Sequence, residues 1–311
     1  MMKLLEVSTD QINVFKTLFK TLGKMLMNIN MIFCRTDENN VTSNTNTGFI
    51  KISGLNDTKA VFVDLKLESS NFTKFYCANE KVSIGINLHT FNRIIRIITK
   101  KDITSLTMYI DYGDTNLKFL AQNEEGKHLC SMELLNLKDA PINVPMVEMG
   151  TNIVMSSTRF HRSCKEMYKI SDHIELKCSG NKFTMSSVSS IEDIKITRYV
   201  PTDNITHSIE NCTTEGTFEL NDLMAFKKLT TMTNTVEILM KCDYPLIIRY
   251  NIPFCRLYIF FSPRIMDNED ICSEYRVEEE NSVSQENYKK LKEEISVLQK
   301  NYKKMKNKMK I

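Results

Sequence analysis

Apolar side chains recur every three or four positions in four short stretches of this chain, and every second position through much of the rest. The first kind covers roughly 9–24, 87–101, 156–171 and 219–232. In 9–24, Ile12, Phe15, Leu18, Phe19 and Leu22 fill one face of a 3.6-residue helix, while Asn13, Lys16, Lys20 and Lys24 run down the other. In 87–101, Phe91, Ile94, Ile95 and Ile98 oppose His89, Arg93, Arg96 and Lys100. In 156–171, Phe160, Cys164 and Met167 oppose Arg162, Lys165 and Lys169. The stretch 219–232 is the weakest of the four, with Lys228 nearly alone on its polar face and Lys227, like Arg159, near a helix edge. One basic amphipathic helix is ordinarily a solvated surface. Four of them, arranged as two similar pairs, are a pattern.

The second kind of stretch alternates apolar and polar residues and is rich in Ile, Val, Phe, Tyr and Thr. Examples are Val61–Leu67, Leu106–Ile110, Leu117–Leu120, Ile174–Cys178, Val236–Met240 and Leu246–Tyr250. This is the signature of half-buried antiparallel strands. Strands follow each helix in groups, which predicts an α+β class with antiparallel sheets. An internal repeat organises the elements: 84–111 parallels 217–243, and 9–33 parallels 156–178. The expected organisation is a first domain at 1–133, a connector at 134–146, a second domain at 147–267 and a charged tail at 268–311. Pro141 and Pro145 keep the connector extended.

Charge sharpens the picture. Before residue 276 the chain carries 31 Lys and Arg against 32 Asp and Glu, yet the four helical stretches hold 13 of those cations and 4 of those anions. Such segregation fits a surface that holds a polyanion. The nine cysteines are scattered singly and read as small buried hydrophobes of a reducing compartment. No apolar run is long enough for a membrane span. The five histidines form no ligand or triad spacing, and there is no phosphate-cradling glycine loop. The reading is therefore no enzyme, no metal and no cofactor.

Several stretches together resemble the proliferating cell nuclear antigen family, the sliding clamps of DNA polymerases, over about residues 3–267. They are Gly85-Ile86-Asn87-Leu88 before the Arg93/Arg96 helix, Phe160 with Arg162-Ser163-Cys164-Lys165, Ile142-Asn143-Val144-Pro145, Asp243-Tyr244-Pro245-Leu246-Ile247-Ile248-Arg249-Tyr250, and Ser262-Pro263-Arg264-Ile265. The collinear order in a two-fold repeat carries the resemblance. It implies a DNA-clamp fold of two similar domains, with three chains closing head to tail so that helices line a hole and sheets lie outside. It also implies a processivity factor that encircles duplex DNA without sequence specificity. Lys16, Lys20, Lys24, Arg93, Arg96, Arg162, Lys165, Lys169 and Lys228 would face the phosphates.

The resemblance further implies capture of DNA polymerase and other clients bearing a clamp-binding motif. Their plug would enter a pocket at Leu55, Ala60 and Phe62, Ile142 and Val144 of the connector, Pro245, and Phe261, Ser262 and Pro263. A clamp loader would be a further partner, and the nucleus, or a cytoplasmic replication compartment if the chain is viral, its location. Ring closure needs edge strands that pair between copies. The expected edges are 115–121, with Thr115, Leu117 and Phe119, and 181–188, with Phe183 and Met185. Alternatives in the same fold are a subunit of a heterotrimeric checkpoint clamp and a non-ring viral processivity or transcription factor. Two regions depart from the family. One is an Asn/Thr-rich insertion at 36–49. The other is the tail, where Tyr288, Leu291, Ile295, Leu298, Tyr302, Met305 and Met309 follow a short heptad spacing.

Overall fold

The computed structural model describes residues 2–36, 47–99, 103–124, 126–137, 147–189, 194–200, 204–207, 213–242 and 244–264. Most of the insertion, connector positions Ile142 and Val144, Lys100 and the whole heptad tail lie outside the described residues. Residues 1–142 and 149–265 form one compact unit. Of the second unit, 143–148 with 266–311, only Val147 and Glu148 are described.

In the first half β1 (Lys3–Thr9), α1 (Ile12–Leu22), β2 (Asn28–Arg35), β3 (Gly48–Leu55), β4 (Val61–Glu68), β5 (Lys74–Cys77), β6 (Lys81–Asn87), α2 (Leu88–Ile98), β7 (Ser105–Asp111), β8 (Asn116–Gln122) and β9 (Lys127–Glu133) follow one another. The second half repeats that order element for element. It runs β10 (Thr151–Ser156), α3 (Ser157–Met167), β11 (His173–Ser179), β12 (Lys182–Val188), β13 (Lys195–Val200), β14 (Asn204–His207), β15 (Thr213–Glu219), α4 (Leu220–Ala225), β16 (Thr235–Met240), β17 (Leu246–Ile252) and β18 (Cys255–Phe261).

Pairing repeats as well. Each half makes a five-stranded and a four-stranded antiparallel sheet, ordered β5-β1-β7-β8-β9 and β6-β2-β3-β4 in the first, β14-β10-β16-β17-β18 and β15-β11-β12-β13 in the second. The halves meet where β18 pairs with β4, which fuses two of these sheets into one of nine strands. Phe254, in the β17–β18 turn, reaches across into the first half. Its ring lies 6.4 Å from Phe15 and 5.5 Å from Phe72, and Asn71 donates to its carbonyl at 3.1 Å.

Strand alternation sends one set of side chains under the helices and the other to the bare face of the sheet. Under α1 and α2 the rings of Phe15, Phe19, Phe91 and Phe119 touch in sequence, with centroids 4.4, 4.8 and 5.5 Å apart. Asn87 caps α2 by accepting from the Thr90 amide at 2.9 Å. Asn92 of α2 donates to the Phe19 carbonyl at the end of α1, and a Cβ at Gly23 would collide with that amide group. The fourth helical stretch departs from the expected 219–232: α4 stops at Ala225 and a 3₁₀ turn follows at Lys227–Thr231. There Thr230 and Thr231 turn their hydroxyls back onto the carbonyls of Lys227 and Lys228, a side-chain bond that competes with continuing the helix.

The edges expected from the sequence are overturned. Strand β8, which contains Leu117 and Phe119, lies between β7 and β9, and β12, which contains Phe183 and Met185, lies between β11 and β13. Those four side chains are fully buried in the core, and Thr115 precedes β8 with its carbonyl bonded to the Leu134 amide. Strong alternation marks a half-buried strand and says nothing of whether a neighbour lies on its far side. Among the described residues, the unpaired edges at these ends of the two sheets are β9 and β13.

Candidate nucleic-acid and partner interfaces

The helices form a continuous layer: α2 packs on α1, α1 on the 227–231 turn, and that turn on α3, which also packs on α4. Each buries its apolar face, so the charged rows predicted from spacing are what the layer presents to solvent. Lys20, Lys24, Arg93, Arg96, Arg162, Lys165, Lys169 and Lys228 are all exposed. Among the described residues, no carboxylate lies within ion-pair distance of any of them. The acid within α3, Glu166, is drawn aside into a pair with Arg198 of β13.

Lys16 differs from the other predicted positions. It is half-buried, and its ammonium donates to the Thr99 carbonyl beyond the end of α2 at 3.0 Å, so it ties two helices together. Lys24 donates to the Ala225 carbonyl at 3.3 Å, bridging the first half to the end of α4. The Lys20 ammonium, with Lys24 beyond it, holds Lys228 below the usual lysine value. Three cations from two halves thus crowd at one seam of the layer, an arrangement that favours an anion.

On the opposite face of the nine-stranded sheet the cross-strand registers place Leu55 beside Phe62, Phe62 beside Phe260, Phe260 beside Ile247 and Ile247 beside Leu239. An apolar row therefore crosses five strands, with the Phe62 and Phe260 rings 5.6 Å apart. Ala60 accepts from the Ser262 amide at 2.8 Å, which brings Ala60, Ser262 and Pro263 to one end of this row, and Pro245 adjoins Leu246, the register partner of Phe261. The next row along is polar: Arg249 pairs with Glu237, which also accepts from Asn251.

Phe261 is a correction. It points under the helices, 3% exposed and edge-on to Phe226 at 6.0 Å, and Phe260 is the ring on the bare face. Sequence reasoning also missed Ile247 and Leu239. Counting alternation outward from the buried Ile238, Ile248 and Ile259 would have found all three. Among the described residues no group of three or more His, Cys, Asp or Glu is placed to hold a metal ion.

A β-rich body built twice over, with a cationic helix layer on one side and an apolar row on its bare sheet face, defines the DNA-clamp fold class. The family models for the N-terminal and C-terminal domains of proliferating cell nuclear antigen match residues 4–142 and 143–265 in turn. The chain belongs to the proliferating cell nuclear antigen family.

It is similar to a probable DNA polymerase sliding clamp of Acanthamoeba polyphaga mimivirus, 25% identical over 84% of this chain and 62% of that one, so it spans less than two thirds of that relative. Probable DNA polymerase sliding clamp 1 of Paramecium bursaria Chlorella virus 1 is 29% identical over 80% of this chain and 92% of its own length. The crystal structures of proliferating cell nuclear antigen from Entamoeba histolytica and Thermococcus kodakaraensis share the fold. Their TM-scores are 0.71 and 0.69, at 18% and 16% identity, over 85% and 84% of this chain and all of theirs.

Proposed function

We propose that this chain is a sliding clamp: three copies close head to tail around duplex DNA and tether a DNA polymerase and other replication proteins. The observation that carries the reading is the leftover pair of edges. The repeat uses β18 and β4 to join one half to the other within the chain, and their counterparts β9 and β13 are free to repeat that joint between chains. A heterologous contact of this kind closes into a ring when the rotation allows. Two probable viral sliding clamps among its relatives support the same reading.

The unpaired cations of the helix layer suit phosphate without reading bases, since phosphate contacts position and base contacts specify. Long, separately solvated side chains can exchange phosphates one at a time, which permits sliding. The apolar row on the bare face, from Leu55 and Phe62 to Phe260, suits the hydrophobic and aromatic plug of a client. On this reading the chain is a scaffold with no chemistry of its own. A clamp loader opens the ring, and the working site is the nucleus or a viral replication compartment.

The test is sedimentation together with a primer-extension assay. A mass near three times 36.1 kDa is expected, along with longer products when the ring is loaded on primed circular DNA. A chain that stays monomeric at every concentration and leaves product length unchanged refutes the proposal.

A further inference from the structure

This inference rests on the ring reading and concerns what its seams are made of. Within the chain, the β18–β4 joint places Phe261 opposite Val61, Ile259 opposite Val63 and Leu257 opposite Leu65 on the helix side. All six of these side chains are buried, all but Phe261 completely. On the bare face it places Phe260 opposite Phe62.

The internal repeat transfers this register. Hairpins β8–β9 and β17–β18 turn after the same number of residues, since Leu117 pairs with Met132 and Leu246 with Phe261, while Gln122 pairs with Lys127 and Asn251 with Arg256. Met132 therefore stands for Phe261, Cys130 for Ile259 and His128 for Leu257. For the other strand, Ile86 and Phe218 sit at equivalent places, two residues before α2 and α4. Ile86 pairs with Ile29, and Phe218 with Ile174. Two residues along those strands, Met31 pairs with Ile52 and Leu176 with Met185. Ile52 in turn pairs with Leu65, and Met185 with Arg198. Arg198 therefore stands for Leu65, and Ile196 for Val63.

We propose that β9 of one copy pairs antiparallel with β13 of the next with Cys130 opposite Ile196, and that the row of this seam facing the helices is more polar than the matching row of the joint within the chain. The helix side keeps two apolar contacts, Met132 with Ile194 and Cys130 with Ile196. Its third becomes His128 against Arg198 in place of two completely buried leucines. On the bare face, Ser131 against Lys195 replaces the tilted Phe260–Phe62 pair, and Leu129 against Thr197 stands where the joint has Tyr258 against Asp64. The exposed side chains fit this placement: Leu129 is 70% exposed and Tyr199 73%, both at the unpaired edges. Lys127 and Lys195 are the sort of charges that keep such edges from pairing indiscriminately. The halves of one copy are thus packed together by more apolar contact than two copies are.

Directly opposed residues of an antiparallel pair stand about 4.5–5.5 Å apart at Cα, within the span of a disulfide. Under mild oxidation, Ile196→Cys is expected to cross-link to the native, half-exposed Cys130 of a neighbouring copy and to give covalent trimer on a non-reducing gel. Lys195→Cys and Thr197→Cys are expected to give none, and Cys130→Ser should abolish the cross-link. The double variant His128→Leu with Arg198→Leu is expected to lower the monomer–trimer midpoint concentration at least tenfold. Cross-linking through position 195 or 197 but not 196, in a chain that sediments as a trimer, overturns the register and leaves the ring standing. A midpoint unmoved or raised in the double variant overturns the polarity of the seam. A chain that neither sediments as a trimer nor cross-links at any of the three positions overturns the ring itself.

Discussion

Acid should loosen the second half through one residue, His161. It sits on α3, 2% exposed, with its Nε2 hydrogen-bonded to the Tyr250 hydroxyl of β17 at 2.7 Å and its Nδ1 without a hydrogen-bond partner among the described residues. Burial, with a smaller repulsion from Lys227, pushes the imidazole down to about 4 from its ordinary value near 6.5. The folded value is the depressed one, so the unfolded chain binds more protons between these limits. His161 therefore contributes its full stability above about pH 6.5 and loses it as the pH falls towards 4. At about 1.36 kcal/mol per unit the whole shift is worth about 3 kcal/mol, of which about 2 kcal/mol is gone by pH 5.

Carboxylates also titrate in this range, so the measurement has to be a difference. Urea unfolding of the wild type and of His161→Gln, which can still bond Tyr250 but does not titrate, isolates the imidazole. The wild type should lose about 2 kcal/mol more than the variant between pH 7.5 and 5. A stability gap that stays constant across that interval refutes the reasoning, because it means His161 takes up its proton equally well folded and unfolded.

Reversing Arg93, Arg96, Arg162 and Lys165 to Glu should abolish processivity while leaving the far-UV spectrum and the sedimenting mass unchanged, and the plot of log affinity for DNA against log salt should flatten by about 0.9 for each phosphate no longer neutralised. Lys16→Ala should cost about 1 kcal/mol of stability, because the Thr99 carbonyl then has no ammonium donor. It should leave DNA affinity in place, whereas Lys20→Ala should weaken DNA affinity and leave stability in place; filter binding and thermal unfolding separate the two. Phe260→Ala should weaken binding of an aromatic client peptide at least tenfold in a calorimetric titration with little change in stability, while Phe261→Ala, on the buried side, should destabilise the fold by about 3–5 kcal/mol.

The helices, the strands and the doubled order were all written in local periodicity. Ile12, Phe15, Phe19 and Leu22 recur at helical spacing, and Val61, Val63, Leu65 and Leu67 at strand spacing, because a side chain's burial follows from the face its own backbone turns inward. The cationic rows were legible for the same reason, and all but Lys16 among the predicted DNA-facing positions emerged exposed. Lys16 shares the spacing of Lys20, yet its ammonium finds a carbonyl 83 residues away.

Other features depended on neighbours that no local pattern names. Leu117 and Phe183 alternate as well as any edge strand would, and lie on interior strands only because β9 and β13 add themselves outside. Phe260 and Phe261 are adjacent and chemically alike; the pairing of β18 with β4 sends one to the bare face and the other under the helices. Local sequence thus specifies which elements form and which face of each is buried, since those are properties of a residue and its near neighbours. Long-range packing alone settles which strands stay unpaired, which aromatic ring is offered to a partner and which lysine holds two helices together, since each depends on contacts between residues far apart in the chain.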